Sequence, residues 1–132
     1  MRNTRIWYQY VNKANTKRNG YIVVSGIMSN VDIKAVNQSL EKGMLFIPSQ
    51  VGVPTLAGSA NEDHVWHRLD LSQMQETMER ATVGEDGQAM TVAALVDNFS
   101  MTVWNPSAET ARMFNANQFN VAKTSPKARV AH

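Results

Sequence analysis

The chain has 132 residues, a formal net charge of +2, 43% hydrophobic residues and 18% charged residues. That is long enough for one domain with a real core and too ordinary a balance for wholesale disorder. With no cysteine, disulfides, thiol nucleophiles and thiolate metal sites are excluded together. The longest unbroken apolar run, residues 92–96, falls far short of the ~20 residues of a membrane helix. Residues 1–20 lack the apolar block of a signal peptide, so the expectation is a soluble cytoplasmic protein with no membrane partner.

Residues 5–11 alternate, with Ile6, Tyr8 and Tyr10 on one side and Trp7, Gln9 and Val11 on the other. This predicts a strand packed on one face and partly covered on the other. A polar stretch then ends in Asn19-Gly20, a turn signal, and residues 21–27 read as a second strand. The two make a hairpin with a long basic tip. Arg5, Trp7, Lys13, Lys17 and Arg18, with Tyr8, Tyr10 and Tyr21 close by, are candidate nucleic-acid contacts. Aromatic rings stack on bases and cations neutralise phosphates.

Ser29 and Asp32 cap a helix over residues 31–42, with Ile33, Val36 and Leu40 as its apolar stripe and Gly43 as its terminator. A strand over residues 44–47 stops at Pro48. The loop 48–59 carries Val51, Val53 and Leu56, which a solvated linker would not need. It is expected to pack as an ordered lid against Trp66 or the adjacent sheet edge, either as a wall of the working surface or as a plug of the core. Residues 64–71 alternate again, with Val65, His67, Leu69 and Leu71 opposite His64, Trp66, Arg68 and Asp70.

Beyond that strand, Ser72 is expected to cap a short helix with Met74, Met78 and Ala81 on one side, broken at Gly84-Glu85-Asp86-Gly87. Thr91 caps another, with Val92, Leu95, Val96 and Phe99 facing the core. Asn105-Pro106 opens a helix through about Asn117, and residues 122–132 form a basic mobile tail. The whole predicts one α+β domain over residues 1–121. Its sheet has about four mostly antiparallel strands, with three to four helices packed on it.

Charge is segregated. Arg2, Arg5, Lys13, Lys17 and Arg18 face no acid within residues 1–21, whereas residues 62–86 hold Glu62, Asp63, Asp70, Glu76, Glu79, Glu85 and Asp86 against two bases. Such segments can pair with each other in the fold, bind a partner of mixed charge, or offer a basic face.

The sharpest local cluster is Asp63-His64-Val65-Trp66-His67. Two histidines and an aspartate are metal-ligand types, and a small metal-dependent enzyme at Asp63, His64 and His67 is one reading. A strand, however, sends His64 and His67 to opposite faces. H-E-x-x-H, G-x-S-x-G, G-x-G-x-x-G and the P-loop are all absent. No catalytic residue, metal ligand or cofactor is therefore assigned. Gln50, Val51, Val53, Asp63, His64, Trp66 and His67 stand as candidates for an interaction surface. The eight methionines suit either an adaptable binding surface or an irregular core.

The order strand, capped helix, strand, then Phe46-Ile47-Pro48-Ser49-Gln50-Val51-Gly52-Val53-Pro54 and Asp63-His64-Val65-Trp66-His67, resembles small accessory proteins encoded by bacteriophages and bacterial mobile elements. The resemblance implies a bacterial cytoplasm. Small proteins of that setting are often stoichiometric binders or inhibitors of a host protein, such as a defence-system component; self-association is the other partner expected for the chain. The resemblance transfers no residue role.

Overall fold

The computed structural model describes residues 2–12, 14–56, 64–84 and 86–112. Lys13, Asp63, the end of the 48–59 loop, the end of the final predicted helix and the basic tail lie outside the described residues.

The fold is α+β. Strand β1 (Asn3–Val11) pairs antiparallel with β2 (Lys17–Ser25) along its whole length. Helix α1 (Asn30–Ser39) follows, then β3 (Leu45–Phe46), a 3-10 turn (Pro48–Val51), β4 (His67–Leu69), a second 3-10 turn (Leu71–Gln73), β5 (Gln75–Thr77) and α2 (Val92–Met101). Residues 106–112 form a last helical segment. The sheet runs β2-β1-β4-β3, all antiparallel, and β5 joins the far half of β1 on the β4 side.

The caps of the two main helices act as expected. The Ser29 side chain accepts from the Asp32 N–H while the Asp32 carboxylate accepts from the Ser29 N–H. Thr91 accepts from the Ala94 N–H at the start of α2. Helix α1 nevertheless stops at Ser39, short of the expected residue 42, because Leu40 is already extended. Gly43, at φ +75°, serves the turn into β3 instead of the helix end.

The expected helix after Ser72 is absent. Asp70 accepts from the Ser72 N–H and closes the short 3-10 turn, and residues 75–77 then extend along β1 as a fifth strand. Tertiary pairing overrides the local pattern for a physical reason. Strand β4 covers only Tyr8 and Gln9 of β1, so the backbone groups of Asn3–Arg5 need another partner. The acids of the arriving segment also meet bases: Glu76 pairs with Arg2 at 2.7 Å, and Glu79 with Arg5. Met78 is left in solvent.

The core lies under one sheet face. Ile6, Tyr8, Ile22, Val24, Phe46 and Leu69 meet Val36 of α1, Leu40 just after it, Leu95 and Phe99 of α2, and Val51 and Val53 of the loop. From β5 the chain crosses the other face, where Glu79 reaches both Arg5 and Tyr21. It then binds the outer edge of β2 through Thr82 and Met90. The predicted breaker forms a tight turn, with the Gly87 N–H donating to Gly84 C=O.

Candidate functional site

The alternation of β1 sorts the candidate residues. Tyr8 and Tyr10 are buried and cannot offer stacking faces. Burial pushes the Tyr8 phenol up to about 12, and its hydroxyl donates to Pro54 C=O. Trp7 and Tyr21 point the other way, 36% and 42% exposed, with ring centroids 4.8 Å apart and planes tilted by 55°. The Arg5 guanidinium lies 4.9 Å from the Tyr21 ring centre and is paired with Glu79, which also accepts from the Tyr21 hydroxyl at 2.9 Å.

Below this latch the outer face is open among the described residues. A groove of about 280 Å³ is lined by Trp7, Tyr8, Gln9, Asn19, Arg68, Asp70 and Gln73. Gln9 Nε2 donates to Asn19 Oδ1 at 2.8 Å, holding the floor between the two strands. Lys17 is exposed at the start of β2. Arg18, on the inner side, donates to Leu56 C=O at 3.2 Å. Of the predicted nucleic-acid contacts, Trp7 and Lys17 are therefore available on the open face and Arg5 is neutralised.

The loop residues serve packing. Val51 and Val53 are buried in the core. Gln50 bridges to the segment after α2: its Nε2 donates to Thr102 Oγ1 and Val103 C=O, and its Oε1 accepts from the Asn105 N–H. Trp66 packs edge-on to Trp104, with centroids 6.2 Å apart.

The strand does not reach back to His64, so the opposite-face argument for the two histidines does not apply. Both rings lie against Tyr10, at centroid distances of 5.0 and 4.9 Å. Their nitrogens are all engaged. His64 Nε2 meets Val11 C=O at 2.8 Å while its Nδ1 accepts from the Trp66 N–H. His67, 1% exposed, directs Nδ1 at Val65 C=O and accepts at Nε2 from the Leu56 N–H. Burial drives the His67 imidazole down to about 4. Neither ring retains a lone pair for a metal or for proton abstraction.

Sequence reading missed Glu109, a 6%-exposed carboxylate in the last helical segment. Arg112 holds it in a two-pronged contact at 2.8 Å on each side. Arg112 keeps its pKa below the usual carboxylate value against the pull of burial, and Ser49 adds a hydrogen bond. Serine, histidine and glutamate thus lie in one region, but Ser49 serves Glu109 and His67 serves two backbone groups. This is a structural knot, not a nucleophile and its base. Among the described residues, no three His, Asp or Glu side chains are grouped to hold a metal, and no helix is long and apolar enough to cross a membrane.

Gln9, Asn19 and Arg68 were also missed as site residues. The signal was present in the alternation that puts Gln9 beside Trp7, but Asn19 and Arg68 join them only through strand pairing. No protein-family model, curated protein or solved structure matches the chain.

Proposed function

We propose that this chain is a non-enzymatic protein-interaction module that binds a partner protein through the open part of its outer sheet face. The observation that carries the reading is the exposed Trp7–Tyr21 pair beside the groove of Gln9, Asn19 and Arg68. Tryptophan, tyrosine and arginine are the side chains that most often anchor protein interfaces. Arg2 and Arg5 are already held by Glu76 and Glu79. That suits the face to a surface of mixed polarity better than to a run of phosphates. The engagement of every histidine nitrogen at positions 64 and 67 supports a role without chemistry.

The resemblance to phage and mobile-element accessory proteins supports a bacterial cytoplasmic setting. There the partner is a host protein whose activity the module modulates or inhibits. Tagged wild type and the Trp7→Ala and Arg68→Glu variants, passed over a bacterial lysate and read by quantitative mass spectrometry, test this. The expected result is a host protein retained by wild type and lost from both variants at unchanged melting temperature. Equal retention by all three, or retention of nothing, overturns it. A mobility shift of a single-stranded oligonucleotide that Lys17→Glu with Arg18→Glu abolishes would replace it with the nucleic-acid reading.

A further inference from the structure

Strand β2 is an edge, and among the described residues only half of that edge is closed. Val23 exchanges hydrogen bonds with Thr82, its N–H donating to Thr82 Oγ1 and its C=O accepting from the Thr82 N–H, while the Ser25 N–H donates to Met90 C=O. In an antiparallel ladder, alternate residues direct both backbone groups to the same side. Lys17, Asn19 and Tyr21 share the parity of Val23 and Ser25, so their N–H and C=O groups face away from β1. Among the described residues nothing pairs with them there. Their side chains lie on the outer face, continuous with Trp7.

Resting on the interaction reading above, we propose that this half-edge receives an extended acidic segment of the partner protein, added antiparallel or parallel as a further strand. Two observations select that occupant. Lys17 makes no ion pair among the described residues, and a cationic edge resists pairing with a second copy of itself while attracting carboxylates. The molecule also closes its other open stretch in this way: β5, three residues long, pairs with Asn3–Arg5 and brings Glu76 and Glu79 to Arg2 and Arg5. Backbone hydrogen bonds supply the attraction in such strand addition, and alternate side chains set the preference. Here those side chains are Trp7 and Tyr21 for an apolar residue and Lys17 for an acid.

The test uses the full chain, labelled for amide NMR, with an eight-residue peptide alternating valine and glutamate. A valine–lysine peptide and a single-stranded oligothymidylate serve as the comparison probes. The expected result is slowed exchange at the Asn19 and Tyr21 amides with the glutamate peptide alone. Asn19→Pro removes an edge N–H that β1 does not use, and should abolish the effect with the melting temperature kept. Lys17→Glu should reverse the preference between the two peptides. Slow exchange at these amides in the free protein, protection that grows with protein concentration alone, or protection by the oligonucleotide would each overturn the proposal. Partner capture lost in Trp7→Ala but intact in Lys17→Glu would overturn the strand addition and leave the broader interaction reading standing.

Discussion

His67 Nε2 accepts a hydrogen bond from the Leu56 backbone N–H at 2.9 Å, tying β4 to the loop that follows the first 3-10 turn. A proton on that nitrogen destroys the bond, and burial holds the imidazole down to about 4 against an ordinary 6.5. As pH falls from 6.5 to 4 the unfolded chain binds a proton there and the folded chain does not. Stability should therefore fall through this window, by up to about 3 kcal/mol, and level off below it. Glu109, whose carboxylate is held low, adds its own loss as pH falls below the ordinary glutamate value of 4.5. Urea melts from pH 7 to 4.5 should show the slope in wild type and a flatter one in His67→Gln. Equal slopes would exclude His67 as the cause.

The Tyr21 phenol is shifted upward, first by its hydrogen bond to Glu79 and then by that carboxylate's charge. Replacing Glu79 with glutamine should bring Tyr21 ionisation back toward pH 10, read by ultraviolet absorbance against a Tyr21→Phe background. An unmoved titration would mean that the Arg5–Glu79–Tyr21 latch is open in solution.

Val51 is 1% exposed and packs in the core, so the loop acts at this position as a plug. Val51→Asp puts a carboxylate among apolar side chains and should cost about 3 kcal/mol or more. A variant that melts like wild type would place Val51 outside the core.

Gln50 makes three hydrogen bonds to residues 102–105. Gln50→Ala should destabilise the chain by about 1–2 kcal/mol and speed amide exchange at Asn105 without altering exchange in β1. Unchanged exchange at Asn105 would show that Trp104, whose Nε1 donates to Ser39 C=O at 2.8 Å, anchors that segment alone.

The sequence by itself determined the elements whose signals are local. The Ser29–Asp32 box and the Thr91 cap lie within a few residues of the backbone groups they satisfy, and the alternation of Ile6, Trp7, Tyr8, Gln9 and Tyr10 fixes which side chains face the core. Only the tertiary structure decided the rest. Met74, Met78 and Ala81 have helical spacing, yet β5 forms because the vacant backbone of Asn3–Arg5 and the charges of Arg2 and Arg5 lie some seventy residues away in sequence. His64 and His67 lose their nitrogens to Val11, Trp66, Val65 and Leu56, partners that spacing along one strand does not reveal. The open face was half legible: period two assigned Trp7 and Gln9 to one side, but register across strands brought Asn19, Tyr21 and Arg68 beside them. Helix caps and strand alternation are short-range effects of backbone geometry, whereas partner choice across a sheet is set by which distant groups remain unsatisfied.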